Sequence, residues 1–251
     1  MTIEVACNIA RGAVSSIQRD IARDECRFLW RPSTYGRVFS LAALSHETAA
    51  LDEIVSAAEK GTGPAVMALL VRHLWETWVT GMYLLLGGAK AFDRFAGAQR
   101  KADESFQNEL DDLKERGLLG GWDAEPLTGF EEYKKCGWDY QSVMREVGTL
   151  GVKAGVFATA GEELYTTIYR TLSGHIGAHP TARLLDKYID TETFNFSIVK
   201  SRPQLVPFDV DAVRLAVALS CVHAGAFLDQ VGANGVGEYA TIIGKVLPSL
   251  S

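Results

Sequence analysis

The residues best suited to chemistry lie in one short stretch, Glu162 to Pro180, which reads EELYTTIYRTLSGHIGAHP. It places Arg170 five positions before His175. Histidine is a common acid–base group, and arginine is a permanent cation. These two residues make the stretch the one with candidate chemistry in the chain.

Other interpretations of the same residues stay open. His175 has the features of a histidine at the edge of a core, hydrogen-bonded to a carbonyl, and Arg170 those of a solvated or ion-paired side chain. His175 and His179 are four residues apart, a spacing that suits two metal ligands on a helix, but no third ligand is evident. The sequence predicts no metal site and no other cofactor.

The stretch itself is predicted to be helical. Thr159 followed three residues later by Glu162 has the form of a capping box. Apolar positions then recur at intervals of four and three, which is the spacing of one helix face; they are Leu164, Ile168, Leu172 and His175. Glycines and Pro180 make the backbone near His175 irregular.

The flanking sequence predicts a helical frame for this stretch. Apolar periodicity and capping signals indicate helices over residues 5–30, 34–60, 64–86, 89–116, 139–147, 150–158, 210–231 and 238–247, with Asp209 as an N-cap. Only residues 193–200 alternate with the period of a strand. The predicted fold is all-α, a multi-helix bundle with at most one minor strand or hairpin.

The third helix is apolar around nearly its whole circumference and is expected to be central. Arg72 and Glu76 are four residues apart on it, so they are neighbours on one face. Either each residue offsets the free-energy cost of burying the other's charge, or the two support a site on another helix. The run from Ala65 to Leu86 is as long as a bilayer span, but its charged residues lie near the centre, so a buried soluble helix is predicted.

The net charge and the cysteine content of the chain limit the functions it is expected to have. The 251 residues carry a net charge of −6, which argues against binding nucleic acid through overall charge. Four cysteines without a C-x-x-C pair, and an opening without a signal-peptide pattern, indicate a reduced cytoplasmic setting, and no membrane is expected among the partners. We expect one domain, residues 1–251, with an N-terminal helical pair (1–60), a core bundle (61–231) and a short C-terminal helix (232–251).

The Arg-x-x-x-x-His spacing of Arg170 and His175 resembles the motif of the HEPN superfamily of all-helical domains. A second resemblance, over most of residues 34 to 230, is to a family of uncharacterised bacterial helical proteins. Its hallmarks are an Arg-x-x-x-Glu pair, here Arg72 and Glu76, and a later Tyr-x-x-Leu-Ser segment ending in a histidine, here Tyr169, Leu172, Ser173 and His175. That second family implies no activity.

The HEPN resemblance implies a metal-independent RNA endonuclease that works as a homodimer, often in a defence or toxin system. His175 would act as general base or acid toward a ribose 2′-hydroxyl, and Arg170 would stabilise charge on the phosphate. The alternative is a non-catalytic helical protein that binds a partner or a small ligand. In that case the same residues form a buried polar network that fixes the register of the helices.

Overall fold

The computed structural model describes residues 1–28, 32–115, 130–156, 189–190, 195–196 and 206–246. Within them the fold is an all-α bundle, as predicted. Its helices are α1 (Ile3–Ile21), α2 (Tyr35–Lys60), α3 (Pro64–Glu115), α4 (Tyr140–Lys153), α5 (Val206–Val231) and α6 (Val236–Val246). Two strands of two residues each, β1 (Ile189–Asp190) and β2 (Asn195–Phe196), pair antiparallel, with Ile189 opposite Phe196.

The first helix is shorter than predicted. It ends at Ile21, whereas the apolar spacing continues to about residue 30. The spacing misled because Cys26 and Phe28 reach the core from a turn: Asp24–Cys26 forms a short 3-10 helix, and the Cys26 thiol lies 3.4 Å from the Asp20 carbonyl.

Two later helices also differ from their predicted bounds. One continuous helix, α4, replaces the two short segments predicted at 139–147 and 150–158, and Asp139 caps it by accepting from the backbone N–H groups of Gln141 and Ser142. Asp209 is not an N-cap but lies in the first turn of α5. A proline is tolerated in a first turn, where its missing N–H has no helical partner, so α5 can begin before Pro207.

The long helix α3 is bent at Gly88. The sequence predicts two helices, 64–86 and 89–116, and the structure has two helical segments that meet at a kink where Gly88 has φ 59° and ψ −142°. This is a backbone conformation that residues with a side chain rarely adopt. Beyond the kink, the Gly97 carbonyl accepts a hydrogen bond from the backbone N–H of Cys136, in the segment that leads into α4.

The first half of α3 lies at the centre of the bundle, as predicted. It contacts α2, α4 and α5, and Trp75 and Trp78 on it are fully buried. Its first turns are less enclosed than expected, since the Leu69 side chain is 56% exposed. The other central element is α5, which contacts α1, α2, α3 and α6.

A separate aromatic cluster forms beyond the kink. Phe92 and Phe95 of α3 meet Phe39 of α2 and Phe130, with ring centroids 5.4 to 6.5 Å apart. Most of these ring pairs are tilted and one is edge-on, and such contacts between aromatic rings add to the energy of apolar burial. The cluster attaches the chain before α4 to the second half of α3.

One helix of the described part, Asp209–Val231, is long and apolar enough to cross a membrane by length and composition alone. Of its most apolar window, 72% is buried inside the bundle. That burial is typical of the core helix of a bundle.

Candidate functional site

The predicted catalytic pair, Arg170 and His175, lies outside the residues that the structure describes. The same holds for the Tyr169, Leu172 and Ser173 motif and for His179. The site that the sequence favours most therefore remains a prediction.

The second predicted pair, Arg72 and Glu76, is in the described part of α3. The Arg72 Nε donates to the Glu76 Oε1 at 2.8 Å, which confirms that the two side chains are neighbours. They are 29% and 28% exposed, so this pair is partly solvated rather than buried. Because Arg72 and Glu76 lie on the same helix, the interaction between them does not itself join two helices.

A buried chain of three polar side chains connects α2 to α5, and the sequence analysis did not predict it. The Nδ1 atom of His223 lies 2.7 Å from the Glu47 Oε1, and its Nε2 atom lies 2.9 Å from the Ser40 Oγ. All three residues have no solvent exposure. We call this group the buried triad.

The helices position the triad through simple periodicity. Ser40 and Glu47 are seven residues apart on α2, which is two turns, so both project from the same face. His223 reaches this face from α5. A Cβ on Gly81 of α3 would overlap the His223 ring and come 2.8 Å from the Ala43 Cβ, so the three helices meet closely only because position 81 has no side chain.

Electrostatics favour a proton on this pair. Burial raises the pKa of the Glu47 carboxyl, and the facing His223 opposes that rise. The second carboxyl oxygen, Oε2, is buried without a hydrogen-bond partner. Because a buried carboxylate oxygen without a partner is far more costly than the corresponding neutral group, burial favours the protonated form of Glu47.

The triad has the order of groups found in nucleophilic catalysis, in which a hydroxyl, an imidazole and a carboxylate are linked by hydrogen bonds. Catalysis also requires that a substrate reach the hydroxyl. Since Ser40, Glu47 and His223 are fully enclosed, this arrangement cannot act on a substrate and instead fixes α2 against α5.

One sequence signal could have revealed the triad. Ser40, Leu44, Glu47, Leu51 and Ile54 follow one another at four- and three-residue steps, so the carboxyl lies on the apolar stripe of α2. A charged residue on such a stripe needs a buried partner. The signal does not identify the partner, because nothing in the spacing links α2 to position 223.

Another polar network joins α1 to α6 through Asp20, which is 2% exposed. Its carboxylate accepts a 2.8 Å hydrogen bond from the Tyr239 hydroxyl and forms an ion pair with Arg23 at 2.6 Å. Burial raises the pKa of Tyr239, and the hydrogen bond to Asp20 is the second cause of this rise. The charged groups of this network are paired with one another, and the network links the end of α1 to α6.

An open cleft with polar groups lies between α3 and α4. Its volume is about 320 Å³, within the range of ligand pockets. Its walls come from both helices, and we call it the α3–α4 cleft; it is lined by Tyr83, Gly87, Lys90, Ala91, Arg145, Glu146, Thr149 and Leu150.

A hydrogen-bonded carboxylate forms one side of this cleft. The Glu146 Oε1 accepts from Arg94 at 2.5 Å, and its Oε2 accepts from the Tyr83 hydroxyl at 3.1 Å. Arg94 also donates to the Ser142 hydroxyl and lies over the Tyr83 ring. Burial raises the pKa of Tyr83, so its hydroxyl remains a donor at neutral pH. The carboxylate is therefore held in place before any ligand binds.

The remaining chemistry of the described part is limited. Its histidine, cysteine, aspartate and glutamate side chains form no group of three or more that could hold a metal ion. The four cysteines, Cys7, Cys26, Cys136 and Cys221, are free thiols, and burial raises the pKa of Cys221 to about 12. Comparisons of the chain with protein-family models, with curated proteins and with solved structures give no match.

Proposed function

We propose that this chain is a HEPN-like, metal-independent RNA endonuclease with Arg170 and His175 as its catalytic residues. The observation behind the proposal is the Arg-x-x-x-x-His spacing in a chain whose described residues form an all-α bundle. Among the described residues the buried triad has the order of groups of a catalytic centre, but it is closed to solvent and does not compete with this assignment.

The proposed chemistry needs only the two side chains. His175 takes the proton of a ribose 2′-hydroxyl, and the hydroxyl oxygen forms a bond to the adjacent phosphorus. The bond from this phosphorus to the 5′-oxygen of the next nucleotide breaks, and the leaving oxygen takes a proton from water. Arg170 stabilises the negative charge that builds up on the phosphate oxygens. The products are a 2′,3′-cyclic phosphate and a 5′-hydroxyl.

The proposal includes a homodimer in the cytoplasm. The resemblance to HEPN domains supports the dimer, and four free thiols are consistent with a reducing compartment. Arg72 and Glu76 of α3 then serve as support for the site, and their partial exposure leaves them in reach of neighbouring groups.

The test is cleavage of labelled mixed-sequence RNA by the purified protein in EDTA. We expect cleavage by the wild type and loss of at least a hundredfold in Arg170→Ala and His175→Ala. His73→Ala and Arg37→Ala are matched controls, because both residues are exposed on described helices and neither belongs to the Arg-x-x-x-x-His motif. Ser40→Ala should also cleave normally if the buried triad is structural.

Equal activity in the wild type and in both motif variants would contradict the proposal, and so would the absence of cleavage at high protein concentration. Circular dichroism and thermal unfolding of each variant separate a lost site from a lost fold. Mapping the product ends tests the mechanism, since a 3′-hydroxyl product is incompatible with attack by the 2′-hydroxyl.

A second candidate is a non-catalytic helical protein that binds a small ligand or a partner. The open α3–α4 cleft favours it, because its polar groups are arranged in advance while the hydroxyl and imidazole of the triad are closed to solvent. Saturable binding at the cleft without any RNA cleavage would select this candidate.

A further inference from the structure

We propose that the α3–α4 cleft binds a small organic carboxylate with an apolar body. This inference is independent of RNA cleavage at Arg170 and His175. It rests on the charge of the cleft, on the state of its one carboxylate and on its apolar wall.

The charge of the cleft is opposite to that of the whole chain. Lys90 and Arg145 line it, and Arg94 lies at its Tyr83 side, against the single carboxylate of Glu146. The charged residues of the lining are Lys90, Arg145 and Glu146, which give it a charge of +1, in a chain whose net charge is −6. Such a concentration of positive charge attracts an anion.

Glu146 does not reverse this preference. Each of its oxygens already accepts a hydrogen bond, one from Arg94 and one from Tyr83. A cationic ligand would have to compete with the Arg94 guanidinium for this carboxylate, whereas an anionic ligand leaves the pair intact. The exposed ammonium group of Lys90 forms no ion pair with the residues of the described ranges, so it is available to a ligand.

The rest of the wall is apolar. Its apolar lining consists of Ala91 and the Tyr83 ring on α3, which are nearly buried, and Leu150 on α4, which is half-buried. An apolar ligand body covers these side chains, and the charged end then points toward Lys90 and Arg145. The arrangement suits an aryl or alkyl carboxylate better than inorganic phosphate, which has no apolar part.

The experiment is isothermal titration of the full chain with 4-phenylbutyrate, with 4-phenylbutanamide as the neutral counterpart and inorganic phosphate as the anion without an apolar body. We expect saturable binding of the carboxylate with a Kd of about 0.1 to 1 mM. The amide and phosphate should each bind at least fivefold more weakly, because each lacks one of the two interactions.

Variants locate the binding. Lys90→Gln should weaken carboxylate binding by about five- to tenfold, the effect of losing one partly solvated charge. Lys101→Gln, an exposed lysine on the same helix, is the matched control and should bind as the wild type does. Thr149→Trp should abolish binding by filling the cleft, and as an exposed helical position it can be changed without disturbing the core.

Three results with the organic probe would overturn the inference. They are no saturable binding of 4-phenylbutyrate, equal binding of the acid and its amide, and full binding by both Lys90→Gln and Thr149→Trp. Phosphate binding as tight as carboxylate binding would also reject it and would indicate a phosphate site, as expected for contact with nucleic acid. Cleavage of RNA is measured in parallel, and neither result depends on the other.

Discussion

The buried triad and the α3–α4 cleft are both built around a glutamate that joins two helices. Glu47 binds His223 with no exposure, while Glu146 binds Arg94 and Tyr83 with its side chain 47% exposed. The triad has the order of groups of a catalytic centre but no route for a substrate. The cleft lacks the order of groups of a catalytic centre but is open to a ligand. Access to solvent, rather than residue type, therefore separates a structural cluster from a candidate site.

Removing the buried carboxyl should have the largest effect. Glu47→Ala leaves the His223 Nδ1 without its partner and opens a cavity, so we expect the free energy of unfolding to fall by about 3 to 5 kcal/mol. Urea unfolding monitored by circular dichroism measures it. The double variant Glu47→Met with His223→Leu should recover much of the loss, because it removes both polar groups together. A loss below about 1 kcal/mol in the single variant would show that the triad does not secure α2 against α5.

The Glu47 pair should also make stability depend on pH. Burial raises the folded-state pKa of this carboxyl above its ordinary value of 4.5. Its contribution is therefore complete below that value and is lost as the pH rises through the folded pKa. The stability advantage of the wild type over Glu47→Gln should shrink between pH 5 and pH 8. Urea unfolding at both pH values measures this advantage, and an advantage that grows with pH would reverse the assignment.

Filling the junction beside the triad should cost less. Gly81→Ala forces a methyl group against His223 and Ala43, and overpacking of this kind lowers the free energy of unfolding by about 1 to 3 kcal/mol. Gly12→Ala on α1 is the matched control, since its Cβ meets nothing within 4 Å. That control should gain up to about 1 kcal/mol, because alanine favours a helix more than glycine does. Thermal unfolding of both variants gives the contrast, and equal shifts would reject it.

Loss of the cleft carboxylate should be milder than loss of Glu47. Glu146→Ala removes bonds to Arg94 and Tyr83, but water can replace them at this exposed position, so we expect a loss of about 1 kcal/mol. Urea unfolding beside Glu47→Ala tests the comparison directly. If the two alanine variants lose the same stability, exposure does not explain the difference between the two regions.

The smallest effect should come from the pair that the sequence identified. A double-mutant cycle of Arg72→Ala and Glu76→Ala should give a coupling energy of about 0.3 to 0.5 kcal/mol, the size found for partly solvated pairs one turn apart. The cycle isolates this pair from any other interaction of Arg72. A coupling above 2 kcal/mol would place the pair in the same class as the buried triad.

Local signals in the sequence determined the helices and much of their position. Periodicity located α2, both halves of α3 and the core of α5, and the glycine-rich break before Pro64 separated α2 from α3. The four-residue spacing also predicted the contact of Arg72 with Glu76. All of these depend on residues within a few turns of one another, where the helix fixes the geometry.

Tertiary structure decided what the spacing could not. Ser40 and Glu47 meet His223 across more than 170 positions, and Tyr83 meets Glu146 across 63. The end of α1 depended on how Cys26 and Phe28 reach the core, and the room for His223 depended on a glycine in a third helix. The periodicity of a helix specifies which residues share a face. Only packing specifies which other helix that face contacts and whether solvent remains between the two helices.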